Sequence, residues 1–90
     1  MARRIHERAA TRPQGSYTAR LLDGGAGAVA QKVGEEATEV VVAALAQDGA
    51  RLAAETADLL YHVLVLLELK GVPVDDVWRE LESRGDKRER

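Results

Sequence analysis

The sequence predicts an all-α fold: a compact helical bundle in which two long antiparallel helices carry an acidic site. Three observations lead there. No segment alternates apolar and polar residues with the period of a strand. The apolar residues, 46% of the chain, are almost all Ala, Val and Leu, with aromatics at 3% and no Phe, a palette that suits packed helices better than a β-sandwich. Two long apolar segments, Ala26–Ala46 and Ala50–Lys70, are each bounded by helix breakers.

Taken in order, Ala2–Thr11 reads as a short helix ended by Pro13 and Gly15. Ser16 is placed to N-cap a second short helix, "YTARLLD", which the Gly24-Gly25 pair stops. A third helix covers Ala26–Ala46 and breaks at Asp48-Gly49. A fourth covers Ala50–Lys70, where a cation, then Gly71, then Pro73 form a strong stop. A fifth starts near Pro73 or Val74, with Asp75 and Asp76 in the first turn where the helix dipole favours them, and ends before Gly85.

A length of 90 residues fits one domain, with residues 1–15 and 85–90 expected to pack poorly. The net charge of −2 offers no attraction to nucleic acid. There is no cysteine, which excludes a disulfide framework and thiolate catalysis. The basic N-terminus lacks the apolar core of a secretory signal. The longest apolar stretch, Leu59–Leu67, is interrupted by Tyr61 and His62 and is far short of the ~20 residues that span a bilayer. A cytoplasmic protein without a membrane partner is expected. The Ala50–Lys70 helix has more apolar surface than a 90-residue monomer can cover, which predicts a homodimer or higher homo-oligomer built on apolar helix faces.

Within the stretch "KVGEEATEVVVAA", Lys32, Glu35, Glu36 and Glu39 share one arc of about 100° at ~100° per residue. Val29, Val33, Ala37, Val40 and Ala44 occupy the neighbouring arc, so the acidic residues border the core stripe. Surface glutamates ordinarily sit opposite it. On the next long helix Glu55, Asp58 and His62 share an arc of about 60° inside a segment that is apolar nearly all round. Antiparallel packing would set Glu36-x-x-Glu39 against Glu55-x-x-Asp58. Four carboxylates without cysteine form a hard-oxygen site suited to Mg²⁺, with Mn²⁺ as a second fit. Such ions can bridge to phosphate oxygens.

Each feature also has an ordinary structural reading. A single E-x-x-E pair is commonly a solvated face; two such pairs on consecutive helices beside core positions are less so. His62 reads as a core or interface histidine ahead of a ligand. Lys32 is either the i+4 ion-pair partner of Glu36 or a phosphate contact, and spacing alone does not choose. Tyr61 and Trp78 read as packing residues. Gly24-Gly25 reads as a helix break, since no phosphate-loop pattern accompanies it.

The segments "SYTARLL", "QKVGEEATEVVVAA", "ETADLLYHVLVLL" and "GVPVDDVWREL", in that order over about Arg12–Leu81, resemble the phosphoribosyl-ATP pyrophosphatase family of histidine biosynthesis. That family lies within the all-α nucleotide pyrophosphohydrolases of the MazG and dimeric dUTPase type. The resemblance implies hydrolysis of 1-(5-phosphoribosyl)-ATP to phosphoribosyl-AMP and pyrophosphate, with Mg²⁺ as cofactor and a homo-oligomer as the working unit. It places metal on Glu36, Glu39, Glu55 and Asp58, makes Glu35 the candidate to orient or deprotonate water, turns Lys32 towards phosphate, and sets Ser16 and Tyr17 on the substrate side. Two other readings stay open: a house-cleaning nucleoside triphosphate pyrophosphohydrolase of the MazG type, and a non-catalytic helical dimer.

Overall fold

The computed structural model describes residues 2–11 and 17–88. Four helices run through them: α1 (Ala2–Thr11), α2 (Tyr17–Ala46), α3 (Gly49–Leu69) and α4 (Val74–Arg88), with no strand among the described residues. The predicted all-α bundle with two long helices packed on each other is the observed fold.

The connections follow local chemistry. Asp48 has extended backbone angles, and its carboxylate accepts from the Arg51 N–H at 2.9 Å, so it N-caps α3. At the other end Gly71 has φ 68°, its N–H donates to the Glu68 carbonyl, and the Val72 N–H donates to Leu67. That pair of bonds is a Schellman cap, which favours glycine at the left-handed position. Pro73 then prevents continuation.

The core is small. Ile5, Leu22, Val29 and Val65 form its centre, with Ala9, Leu21, Tyr61, Leu64, Leu66 and Leu69 packed around them. In α2 the buried or half-buried positions Val29, Val33, Glu36, Val40 and Ala43 recur at spacings of three and four. In α3 Leu52, Glu55, Leu59, His62, Leu66 and Leu69 do the same. Glu36, Glu55 and His62 therefore occupy positions of the α2–α3 seam itself.

Two departures from the sequence reading are physical. Ile5 is 2% exposed, so α1 packs into the core where a loose end was expected; Ala9, one turn on, shares its face. The break expected at Gly24-Gly25, by contrast, falls where the sequence puts it: α2 divides into two helical segments at Gly25, which has φ 84° and ψ 175° while the residues on both sides are helical. α4 continues through Gly85 to Arg88, because a helical glycine costs only about 1 kcal/mol and Glu80–Arg84 and Asp76–Arg79 ion pairs brace the exposed faces.

Gly25 decides more than local geometry. Glu36 faces Glu55 and Asp58, yet Tyr17 and Thr18 face His62 and Tyr61. Tyr17 and Glu36 are nineteen positions apart, which would be about 28 Å of straight helix, whereas Asp58 and His62 are one turn apart, about 6 Å. Only a fold-back at Gly25 reconciles the two contacts. The φ/ψ pair at Gly25 lies in a region essentially closed to residues with a Cβ. Gly25→Ala is expected to cost about 1–3 kcal/mol of stability, read as a lower urea midpoint at unchanged m-value.

Candidate functional site

The α2–α3 seam brings three of the expected carboxylates together. One oxygen each from Glu36, Glu55 and Asp58 can be chosen so that all lie within 4.8 Å of one another. Glu55 is 6% exposed, Glu36 is half-buried and Asp58 is exposed, so the group runs from the seam out to solvent. Glu39, the fourth expected ligand, stands one turn beyond Glu36, is exposed, and is not among these three. Like charges this close repel, and two cations offset them. Lys32 Nζ is 3.6 Å from Glu36 Oε1, and Arg51 Nη2 is 3.0 Å from Glu55 Oε1. Both pairs are i,i+4 contacts on their own helices.

The donor set fits a hard divalent cation. It consists of carboxylate oxygens from two rigid helices, with no sulfur in the set. The buried Glu55, 3.0 Å from Arg51, distinguishes the group from an exposed acidic pair.

Glu35 is exposed and accepts from Gln31 Nε2 at 3.3 Å, on the solvent side of the acidic arc. Tyr17 is 45% exposed; its hydroxyl lies 2.9 Å from His62 Nε2, and its ring stacks on Tyr61 with centroids 5.9 Å apart. The Arg20 guanidinium lies over the Tyr17 ring at 5.9 Å. Ser16 lies outside the described residues. Tyr61, read from sequence as a packing residue, hydrogen-bonds the buried Thr18 through its hydroxyl. Together with Arg4, Ile5 and Thr18 it lines an open cleft of about 400 Å³, the size of a small-molecule site. Tyr61 is three residues on from Asp58 along α3, while none of the three carboxylates lines the cleft.

Sequence reasoning missed Arg51 and Thr18. The first had a usable signal, the i,i+4 spacing to Glu55. The second had none, because its contact with Tyr61 depends on the fold-back at Gly25.

Comparison with known proteins agrees with the resemblance read from the motifs. The family model described as phosphoribosyl-ATP pyrophosphohydrolase matches residues 1–85. A phosphoribosyl-ATP pyrophosphatase of Saccharolobus islandicus is 52% identical over 80 residues, covering 89% of this chain and 85% of the relative. Its namesake from Saccharolobus solfataricus is 51% identical over the same shares. That from Metallosphaera sedula is 54% identical, over 89% of this chain and 86% of the relative.

Proposed function

The chain belongs to the phosphoribosyl-ATP pyrophosphohydrolase family, and on that premise we propose that it hydrolyses 1-(5-phosphoribosyl)-ATP at a carboxylate site between α2 and α3. The products are 1-(5-phosphoribosyl)-AMP and pyrophosphate, and the reaction is a step of histidine biosynthesis. The observation that supports this site above others is the convergence of Glu36, Glu55 and Asp58 at the α2–α3 seam.

Glu36, Glu39, Glu55 and Asp58 would hold Mg²⁺, or Mn²⁺, through hard oxygens. When bound, the ion supplies Lewis-acid polarisation of phosphoryl oxygens and neutralises charge as it develops there. Arg51 holds the Glu55 carboxylate in place, so the buried ligand is oriented before substrate arrives. Glu35 is the base: its exposed carboxylate takes the proton as water oxygen bonds to phosphorus, and the bond to the pyrophosphate oxygen breaks. Lys32 neutralises the triphosphate as a flexible point charge. Tyr17, the first residue of α2, meets the substrate, and Ser16 is assigned to the substrate side with it.

Lys32→Ala is accordingly expected to raise KM more than it lowers kcat. Glu35→Gln is expected to lower kcat by about 10²–10⁴-fold with little change in KM. Steady-state kinetics on both variants checks the assignments. A Glu35→Gln loss of tenfold or less, or one rescued by excess Mg²⁺, would make Glu35 an auxiliary to the metal site.

The working unit is a homodimer acting in the cytosol. Among the described residues Leu45 is 83%, Val41 56% and Leu60 52% exposed, and Trp78 and Leu81 of α4 are 52% and 50% exposed. Leu45 lies about 180° around its helix from Glu36, and Leu60 about 160° from Asp58, so both leucines turn away from the carboxylates. α4 packs only lightly on the other three helices, which leaves its apolar side for a second copy. No helix among the described residues is long and apolar enough to cross a membrane.

Substrate choice is tested by turnover on a panel. Phosphoribosyl-ATP should be cleaved in preference to dUTP, dCTP and ITP. Equal or faster turnover of the simple triphosphates would favour the house-cleaning reading.

A further inference from the structure

His62 is 5% exposed, one turn beyond Asp58, and belongs to none of the roles assigned above. Both of its ring nitrogens are engaged. Nδ1 lies 2.7 Å from the Asp58 carbonyl oxygen, and Nε2 lies 2.9 Å from the Tyr17 hydroxyl. A carbonyl can only accept, so Nδ1 carries the hydrogen in that contact. One neutral tautomer then satisfies the whole chain: Nδ1–H donates to Asp58 O, and the Tyr17 O–H donates to Nε2. The Tyr17 and Tyr61 rings meet the imidazole edge-on, with centroids 6.0 and 5.2 Å away.

A residue needed only for packing would be cheaper as Leu or Phe, because burying an imidazole requires a partner for each nitrogen. Here the partners are the turn of α3 that carries Asp58 and the first residue of α2, which are 41 positions apart in sequence. We propose that His62 is a positioning residue: it fixes Tyr17 to the turn of α3 that presents Asp58, and so sets how tightly the nucleotide binds beside the carboxylates. The inference rests on the reading above that Tyr17 lies on the substrate side. Thr18, hydrogen-bonded to Tyr61, makes the second of two adjacent attachments between the same segments. Between them they hold the fold-back at Gly25 against α3.

The test uses four variants and one spectroscopic reading. Asn at position 62 can keep the donor near Nδ1 but does not reach Tyr17; Gln reaches the place of Nε2 and can accept there. His62→Asn is expected to raise KM for phosphoribosyl-ATP about three- to tenfold, with kcat within about threefold of wild type. Tyr17→Phe should do likewise, and the double variant should be no worse than the poorer single one. His62→Gln should return KM to within about twofold of wild type. ¹⁵N shifts of the imidazole in the resting protein should show the Nδ1–H tautomer. An unchanged KM in folded His62→Asn, additive losses in the double variant, or an Nε2–H tautomer would each overturn the proposal. The tautomer is read without substrate, so it separates failure of this inference from failure of the functional reading.

Discussion

Asp58→Asn is expected to reduce Mg²⁺-dependent turnover by at least about 10²–10³-fold while leaving the helical fold intact. The size follows from removing one charged oxygen donor at a centre that stabilises developing charge. The fold should survive because Asp58 is exposed and its side chain is not needed to fill the seam. Removing one of three converging carboxylates also relieves their mutual repulsion, so without divalent cation the Tm should hold or rise. With Mg²⁺ the two proteins should diverge. A ligand that binds only the folded state stabilises it by mass action, about 2.7 kcal/mol at a hundredfold excess over Kd. Wild type should therefore gain Tm on adding Mg²⁺, and Asp58→Asn should gain much less. Glu39→Gln is expected to lose most turnover as well, as the exposed fourth carboxylate on the Glu36 face. Glu55→Gln is the less clean probe, because it also leaves Arg51 without its 3.0 Å partner.

Leu45→Glu with Leu60→Glu is expected to turn a dimer into a monomer. Each leucine buried in an interface contributes about 1.5–3 kcal/mol, and a two-fold dimer loses each contact twice. The combined loss exceeds the ~4 kcal/mol that corresponds to a thousandfold in Kd. Both side chains already face solvent in the single chain, so its own core does not depend on them. Light scattering at micromolar concentration checks this. A stable and active wild-type monomer, or a double variant that stays dimeric, would refute it.

Much of the fold and of the acidic site is legible in the order of the residues. The helix stops at Asp48 and at Lys70-Gly71 are written in residue chemistry that acts within a few positions, and they appear where expected. The acidic residues are legible because their angular position beside the core stripe is a one-dimensional property of each helix, and the short connection fixes which helices face each other. That arithmetic brings Glu36, Glu55 and Asp58 together but does not separate them from Glu39, since i and i+3 fall on one face whatever the partner helix does.

What stays hidden depends on dihedral angles or long-range direction. Gly24-Gly25 announces a break, but only the φ and ψ of Gly25 say that the chain turns back across α3 and does not leave the bundle. The Tyr17–His62 contact, the Thr18–Tyr61 contact and the cleft beside them all follow from that one direction. Gly85 carries the opposite lesson: a residue that can end a helix need not, when ion pairs one turn back brace the continuation. Ile5 sits in a basic, polar segment that reads as a loose end, yet its burial, with Ala9 one turn on and His6 Nδ1 2.8 Å from Glu68 Oε1 of α3, docks a three-turn helix on a core this small.

The central claim is that the carboxylates between α2 and α3 support divalent-cation-dependent release of pyrophosphate from phosphoribosyl-ATP. Time-resolved ³¹P NMR of purified protein with that substrate, with Mg²⁺ or with a chelator, reads it directly. Pyrophosphate and phosphoribosyl-AMP should appear one for one with Mg²⁺, and neither should appear with chelator or with Asp58→Asn. Release of orthophosphate in place of pyrophosphate, or undiminished turnover in Asp58→Asn, would contradict it.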